Sequence, residues 1–218
     1  MAAPVIRRLK QRSAPDMGSV MPERIAEHYE RHAHAFDHAR RKRFTERPWL
    51  DRFLLGVPKG APVLDLGCGA GEPIARYLHD AHHPITGVDV SAKMIALCRT
   101  RFPRERWIAA DMRGVALDGM FGGIIAWDSL FHLPADDQLA LLERLAPWLS
   151  PGGALLFNSG PERGTAMGCQ FGEPLYHASA GPAEYRAVFA RTGLFEVAHA
   201  PEDAATGGRS VWLVRRPH

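Results

Sequence analysis

The chain has 218 residues and a mass of 24.1 kDa, which is enough for one domain with a substantial core. Hydrophobic residues make up 46% and charged residues 23%, values that are ordinary for a soluble globular protein. The formal charge of +3 is spread along the chain, so we predict no nucleic-acid partner.

The cysteines and the lengths of the apolar runs indicate the cellular compartment of the protein and its relation to membranes. Cys68, Cys98 and Cys169 are odd in number and far apart, which does not fit a disulfide framework and favours a reducing compartment. No apolar run approaches the roughly 20 residues of a membrane-spanning helix. We therefore predict a cytoplasmic protein with no membrane partner, present as a monomer or a homodimer. Residues 1–21 show no hydrophobic period and are predicted to form a disordered leader.

Two helices are predicted at the start of the remaining chain. Over residues 22–41 the apolar residues recur at helical spacing and define one face; they are Ile25, Tyr29, Ala33 and Phe36. A second helix is predicted over residues 44–55, and the Gly/Pro cluster at residues 56–60 ends it.

Strands and helices then alternate along the chain, which predicts an α/β fold with a largely parallel, doubly wound sheet. Predicted strands cover residues 62–66, 84–88, 107–109, 122–127, 154–159, 195–199 and 210–214. Predicted helices cover residues 72–80, 92–101, 135–149 and 182–192. A helix-free connection joins the last two strands, so we expect them to form an antiparallel pair.

A glycine-rich turn follows the first predicted strand, in the run Val63-Leu64-Asp65-Leu66-Gly67-Cys68-Gly69-Ala70-Gly71-Glu72. Glycines at alternate positions let the backbone turn tightly and approach a ligand closely. A strand, a glycine-rich turn and a helix in this order are typical of sites for nucleotide-like ligands in doubly wound proteins.

Acidic residues close three successive predicted strands, where ligands of such sheets bind. They are Asp65, Asp89 and Asp111. Asp89 can accept hydrogen bonds from both hydroxyls of a ribose, or it can cap the following helix, a role that Ser91 also fills. Asp111 can accept from an adenine amine, with Met112 offering its backbone N–H to the ring.

These motifs, with the Leu149-Ser150-Pro151-Gly152-Gly153 turn, resemble those of small-molecule class I S-adenosylmethionine-dependent methyltransferases. The resemblance implies a Rossmann-like sheet of order 3-2-1-4-5-7-6 with strand 7 antiparallel. It also implies that Asp65 and the backbone of Gly67, Cys68, Gly69 and Gly71 hold the methionine part of the cofactor, Asp89 the ribose and Asp111 the adenine. We predict lid helices over residues 22–58 and an S-adenosylmethionine-binding domain over residues 59–218. The other predicted cofactor-binding residues are Val90, Met94, Met112, Trp127, Asp128 and Tyr29, and Tyr29 fits core packing equally well.

The glycine spacing separates this family from dinucleotide-dependent enzymes. The pattern here is G-x-G-x-G, and the carboxylates of Asp65 and Glu72 flank it. They would repel a pyrophosphate but suit the ammonium and sulfonium of S-adenosylmethionine. We therefore expect in-line transfer of a methyl group to an oxygen or nitrogen of a small metabolite, with S-adenosylhomocysteine as the product. A non-catalytic S-adenosylmethionine-binding regulatory module and a nicotinamide-dependent oxidoreductase are the alternatives.

The acceptor is expected beyond the fourth strand. There Ser129 is a candidate contact, and His132 is either a general base or a packed residue that positions the following turn. Alignment and desolvation can supply much of the rate acceleration of methyl transfer. A general base is therefore needed only when the acceptor must lose a proton.

A long loop without regular structure is predicted over residues 160–181. Its Glu173, Tyr176 and His177 either contact the acceptor or belong to a solvated cover.

Two histidine pairs on the first predicted helix have i, i+4 spacing. His28 and His32 border the apolar face, whereas His34 and His38 fall on the solvent face. No acidic or cysteine ligand accompanies either pair in the sequence, so we predict no metal site.

Overall fold

A computed structural model describes residues 22 and 24–218 of the chain. The predicted disordered leader over residues 1–21 lies outside the described residues. The helices are α1 Arg24–Arg40, α2 Arg47–Leu54, α3 Ile74–Asp80, α4 Ala92–Arg101, α5 Ala135–Leu145 and α6 Pro182–Thr192. The strands are β1 Val63–Leu66, β2 Ile85–Asp89, β3 Arg106–Ala109, β4 Phe121–Ala126, β5 Leu149–Ser159, β6 Gly164–Gln170, β7 Glu173–Ser179, β8 Phe195–Asp203 and β9 Arg209–Arg215.

Seven of these strands form one twisted sheet of order β3-β2-β1-β4-β5-β9-β8. The first five in this order are parallel, and β9 runs antiparallel to both of its neighbours. This arrangement confirms the predicted α/β class, the strand order and the antiparallel last strand. Parallel pairing places the carboxyl ends of β1, β2, β3 and β4 along one edge, where the acids of the sequence motifs lie.

Both faces of the sheet are covered, which explains why its central strands are continuous apolar runs. Every residue of β1, β2 and β4 is buried. One cluster of core residues joins the sheet to α5 and α6, and a second joins the opposite face to α2, α3 and α4. Among the described residues, no helix combines the length and the apolar content needed to cross a bilayer.

Several predicted element boundaries are wrong, and proline explains two of them. The second helix begins at Arg47 rather than residue 44, because Pro48 is tolerated only in a first helical turn. Helix α5 ends at Leu145 rather than residue 149, and Pro147 stands in the short 3-10 turn that follows.

Other boundaries differ where the backbone is irregular. Helix α3 begins at Ile74, two residues later than predicted, because the glycine turn extends further. Strand β5 begins at Leu149 and includes the Pro-Gly-Gly segment as a bulge against β4. Strand β8 continues to Asp203 instead of ending at residue 199.

The predicted loop over residues 160–181 is wrong, because it folds into a hairpin. Strands β6 and β7 pair antiparallel from Gly164 opposite Ser179 to Gln170 opposite Glu173. The two turn residues, Phe171 and Gly172, have φ values of 53° and 80°, as tight hairpin turns require. The hairpin is not recognisable from the sequence because most of β6 is exposed and shows no alternation of apolar and polar residues.

Candidate active site

A cavity of about 290 Å³ opens at the carboxyl ends of β1, β2 and β4, beneath α1. Its size is at the lower end of the range for small-molecule sites. The wall includes most of the residues that the sequence assigns to the cofactor or the acceptor. They are Tyr29, Asp65, Gly67, Cys68, Gly69, Asp89, Val90, Met94, Asp111, Met112, Trp127, Asp128, Ser129 and His132.

The glycine turn forms the floor of this cavity. The backbone N–H groups of Gly67 and Cys68 both donate to the carbonyl of Val88, at 2.7 and 3.1 Å, which ties the turn to β2. Gly67 has a φ of +75°, and a Cβ placed there would lie 2.2 Å from the Cβ of Ser129. Gly71 also has positive φ but lies behind the wall, with the side chain of Phe102 next to it. The turn therefore needs glycine for both conformation and space.

Asp89 holds the glycine turn from the neighbouring strand. Its Oδ2 accepts from the backbone N–H of Gly69 at 2.8 Å, and its Oδ1 accepts from that of Ser91 at 2.9 Å. The Ser91 hydroxyl caps α4 by accepting from the N–H of Met94, so Asp89 is not the helix cap. Burial raises the pKa of Asp89 to about 6. Each of its carboxylate oxygens retains a lone pair for a further donor.

Asp65 is an acid in the cavity wall whose carboxylate lacks a hydrogen-bond donor at one oxygen within the described part of the chain. Its side chain is only 2% exposed, and Oδ2 makes no hydrogen bond to any described residue. Burial, reinforced by the charge of Asp89, raises the pKa of Asp65 to about 7. A buried carboxylate without a donor is costly unless a cation or a proton partner reaches it. Asp65 is therefore suited to a positively charged ligand group.

Asp128 and Ser129 have hydrogen-bond partners within the protein. Asp128 has a φ of +52°, and its carboxylate accepts from Nε and Nη2 of Arg209 at 2.6 and 2.7 Å. Asn158 donates to the same carboxylate and accepts from the Asp128 backbone N–H. Burial acts to raise the pKa of Asp128, but the ion pair with Arg209 outweighs it and leaves this pKa below its ordinary value. The Ser129 hydroxyl donates to the Leu66 carbonyl at 2.7 Å.

Asp111 lies at the rim of the cavity. Arg113 donates to its carboxylate from Nη2 at 2.6 Å and from Nε at 3.0 Å, and this contact lowers the pKa of Asp111. The Arg113 guanidinium also pairs with Asp137 at 3.0 Å. Met112 lies beside Asp111 in the wall.

Tyr29 and His132 meet across the cavity. The Tyr29 hydroxyl lies 2.9 Å from Nε2 of His132, and Nδ1 of the same ring lies 3.0 Å from the Tyr176 carbonyl. A carbonyl only accepts, so Nδ1 carries the proton and Nε2 accepts from Tyr29. Burial lowers the pKa of His132 to about 3. The His177 ring stacks on His132 with centroids 5.1 Å apart, so Tyr176 and His177 reach the cavity only through His132.

Arg40 is a cavity residue that the sequence motifs do not indicate. Its guanidinium pairs with Glu46, which is 1% exposed, and its charge acts on both Asp65 and Asp128. The position could have been found, because Arg40 continues the helical face of Tyr29, Ala33 and Phe36 by one further turn. It is the cation best placed in the wall to meet a ligand carboxylate.

Helix α1 is fastened over the cavity by charged contacts with α4. Arg101 donates to both carboxylate oxygens of the buried Asp37, at 2.7 and 2.6 Å. The Ser91 hydroxyl donates to Glu30 at 2.6 Å. These contacts hold α1 over the cavity.

A family model described as a methyltransferase domain matches residues 63–153, the segment from β1 into β5 that contains the glycine turn, Asp89 and Asp111. The match and the sheet topology support the class I S-adenosylmethionine-dependent methyltransferase family that the motifs resemble.

Characterised relatives cover part of the chain. A malonyl-[acyl-carrier protein] O-methyltransferase of Pseudescherichia vulneris is 31% identical over 145 residues, which are 66% of this chain and 56% of that protein. A dTDP-3-amino-3,6-dideoxy-alpha-D-glucopyranose N,N-dimethyltransferase of Streptomyces fradiae is 35% identical over 101 residues, 45% of this chain and 39% of that protein. The chain thus spans only about half the length of these relatives.

Solved structures share the fold at low identity. The Burkholderia thailandensis 1,6-didemethyltoxoflavin-N1-methyltransferase, solved with its substrate and S-adenosylhomocysteine, superposes with a TM-score of 0.68 at 19% identity. The superposition covers 94% of each chain.

Proposed function

We propose that this protein binds S-adenosylmethionine and transfers its methyl group to an oxygen or nitrogen of a small metabolite. The observation that carries the proposal is Asp65. Its buried carboxylate lacks a donor at Oδ2 and lies in one cavity with Asp89 and the glycine turn. An ammonium group supplies the missing donor, and a pyrophosphate would be repelled.

In this proposal the cofactor lies along the carboxyl ends of the strands. Asp65 accepts from the methionine ammonium, Arg40 donates to the methionine carboxylate, and Asp89 accepts from the ribose hydroxyls. Val90 and Met94 line the adenosyl position, and Asp111 and Met112 bind the adenine edge. The residues for these roles border one continuous cavity, which supports the assignment.

Bound S-adenosylmethionine supplies a methyl group activated by the sulfonium. An acceptor lone pair attacks the methyl carbon while the carbon–sulfur bond breaks, and both electrons of that bond remain on sulfur. The side chains therefore have to align the two groups and exclude water, which α1 and the buried Trp127 serve. When the acceptor carries a proton, Nε2 of His132 can accept it after the Tyr29 hydroxyl is displaced.

Two of the relatives support an oxygen or nitrogen nucleophile, and the second supports a small acceptor. Their names describe a malonyl-[acyl-carrier protein] O-methyltransferase and an N,N-dimethyltransferase of a dTDP-linked amino sugar. Because acceptors differ among relatives, we leave the atom that receives the methyl group open between oxygen and nitrogen.

Calorimetry with S-adenosylmethionine, S-adenosylhomocysteine and NAD tests the cofactor assignment. We expect S-adenosylmethionine to bind one site, and Asp65→Asn and Asp89→Asn to weaken that binding at least tenfold. Asp118→Asn, an exposed acid outside the cavity, is the matched control. Binding of NAD alone would support the oxidoreductase instead.

Transfer itself is tested by incubating the protein with methyl-labelled cofactor and a metabolite library. Labelled product formed by the parent protein and absent with Asp65→Asn would support methyltransferase activity. Tight cofactor binding without labelled product from any acceptor in a broad library would favour the non-catalytic module.

A further inference from the structure

A cluster of metal-ligand side chains lies between α1 and the β6–β7 hairpin. His28 and His32 are one helical turn apart, and Glu173 begins β7 opposite them. Nδ1 of His28 lies 3.2 Å from Glu173 Oε2, and Nε2 of His32 lies 3.2 Å from Glu173 Oε1. The sequence pattern offered no acidic partner for this pair, and the hairpin that the sequence did not predict supplies one.

The spacing of these atoms fits a tetrahedral zinc site. Zinc binds imidazole nitrogen and carboxylate oxygen at about 2.0–2.2 Å, which separates neighbouring ligand atoms by about 3.3 Å. Each imidazole nitrogen lies 3.2 Å from a different oxygen of the Glu173 carboxylate, and one ligand atom from each of the three residues lies within 4.8 Å of the other two. It is the one grouping of three such ligands among residues 22 and 24–218.

The protonation pattern of His28 favours a cation at this point. Its Nε2 lies 3.0 Å from Oε1 of Gln170, and with the amide in this orientation Nε2 carries the proton. In the neutral ring the lone pair of Nδ1 then faces the Glu173 carboxylate. Two acceptors at 3.2 Å repel each other unless a metal ion or a second proton lies between them. A hydrogen bond on the far nitrogen also orients metal-binding histidines in general.

His32 provides a second, independent observation. Its Nε2 is buried and makes no hydrogen bond of normal geometry to any described residue, although Glu173 is close. The Phe171 ring covers the cluster, with its centroid 5.1 Å from the ring of His32. His28 and His32 are 5% and 20% exposed, so the nitrogen ligands are largely shielded from water.

Arg31 is a charged competitor in contact with the cluster. Its Nη1 donates to Glu173 Oε1 at 2.7 Å. The Arg31 side chain is 54% exposed, so its guanidinium can turn into solvent when the carboxylate ligates a metal. The Glu173 carboxylate thus faces two imidazoles and one guanidinium.

We propose that Nδ1 of His28, Nε2 of His32 and the carboxylate of Glu173 bind a divalent transition-metal ion. Zn²⁺ fits the two imidazoles and one carboxylate, and water would complete the tetrahedron. Two nitrogen ligands make Mg²⁺ and Ca²⁺ poor occupants. The ion would tie α1 to the hairpin beside the contact of Tyr29 with His132. It would therefore reinforce the cover over the cavity.

The competing explanation is a metal-free pair between a histidinium and Glu173. It accounts for the 3.2 Å contacts by a second proton on the rings and requires no affinity for zinc. Direct metal titration separates the two, because it does not depend on methyl transfer or on cofactor binding.

The test uses the full chain, with any purification tag removed, after dialysis against a chelator. Zn²⁺ is titrated by calorimetry, and Co²⁺ is added in parallel because its visible absorption reports tetrahedral nitrogen and oxygen ligation. We expect one ion per chain, a higher melting temperature with zinc, and a tetrahedral cobalt spectrum. His32→Ala and Glu173→Gln should each weaken binding by about 10- to 100-fold or more.

The chain supplies its own matched control. His34 and His38 form the other i, i+4 pair of α1, and both are exposed. A His34→Ala/His38→Ala double variant should retain the zinc affinity and the cobalt spectrum of the parent. Circular dichroism and melting of each variant without metal show whether it is folded.

Three results would overturn the site. They are no zinc binding above that of a chelator-treated blank, undiminished binding in folded Glu173→Gln, and equal loss of binding in the His34/His38 control. A variant that fails to fold is replaced by His32→Gln, which retains a polar side chain but lacks the imidazole.

Discussion

The hydroxyl of Tyr29 donates a 2.9 Å hydrogen bond to Nε2 of His132 and so joins α1 to the turn that follows β4. Burial raises the pKa of Tyr29 well above its ordinary value and lowers that of His132 to about 3. Both groups are therefore neutral across the physiological range, with tyrosine as donor and histidine as acceptor. An acceptor that uses His132 as a base has to compete with Tyr29 for Nε2.

Substitutions at these two positions separate a catalytic role from a packing role. His132→Ala should lower kcat about 100-fold at saturating acceptor, the typical contribution of a general base. Tyr29→Phe should lower kcat less than about tenfold, because it leaves Nε2 free to accept a proton. Steady-state kinetics measure both, with His79→Ala, a half-exposed histidine on α3, as control. Unchanged turnover in His132→Ala would reject the base and leave alignment alone as the source of catalysis.

Cofactor affinity should depend on pH through Asp65. Its pKa is raised to about 7, so below pH 7 much of the free protein carries a protonated carboxyl that cannot pair with an ammonium. Binding should weaken by up to about tenfold per pH unit below 7 and release a proton. The same raised pKa makes the protonated group favourable for folding below about pH 4, a contribution that is lost as pH rises through about 7.

Calorimetry from about pH 5.5 to 8.5, in buffers of different ionisation enthalpy, checks the affinity and the proton release. Asp65→Asn should bind the cofactor weakly and with a flatter pH profile. Parallel profiles for the parent and the variant would assign the pH dependence to another group.

The proposed cofactor side of the cavity could be predicted from local sequence, because each of its parts is a short motif at a strand end. Asp65, Asp89 and Asp111 are each fixed relative to the sheet by a few residues. Parallel pairing then brings them to one cavity without further information. The sheet order does not follow from these motifs and is implied by the family resemblance.

The contacts between distant segments could not be predicted in this way. Arg209 reaches Asp128 from 81 residues away, and Glu173 reaches His28 from 145 residues away. No periodicity relates such positions, and the β6–β7 hairpin that carries Glu173 lacks an alternating pattern. The metal-ligand cluster therefore emerges only from the folded chain, although its histidine spacing is visible in the sequence.

Gly67 should be intolerant of any side chain. Alanine there would be strained at a φ of +75° and would place its Cβ 2.2 Å from that of Ser129. We expect Gly67→Ala to reduce the free energy of unfolding by about 3 kcal/mol or more. Gly60→Ala is the matched control, because Gly60 has a φ of +73° and no atom lies within 4 Å of the position that a Cβ would occupy there. It should lose only about 1 kcal/mol, and similar losses in urea unfolding of both variants would show that the contact with Ser129 is unimportant.

Arg209 should stabilise the protein chiefly by neutralising Asp128. The two side chains are 33% and 21% exposed, so the pair is neither fully solvated nor fully buried. Arg209→Met would leave the carboxylate with Asn158 alone, and we expect a loss of about 2 kcal/mol in the free energy of unfolding. Asparagine tolerates the positive φ of Asp128, so Asp128→Asn should restore much of that loss when combined with Arg209→Met.

A double-mutant cycle measured by urea unfolding at pH 7 tests this coupling. Because the ion pair holds the pKa of Asp128 below its ordinary value, the coupling should persist above about pH 4 and disappear as pH falls through the lowered pKa. Strictly additive losses at pH 7 would mean that Arg209 stabilises the structure by packing and by its contact with the Thr206 carbonyl. Coupling of about 1 kcal/mol or more would assign the effect to the charge pair that fixes the turn after β4.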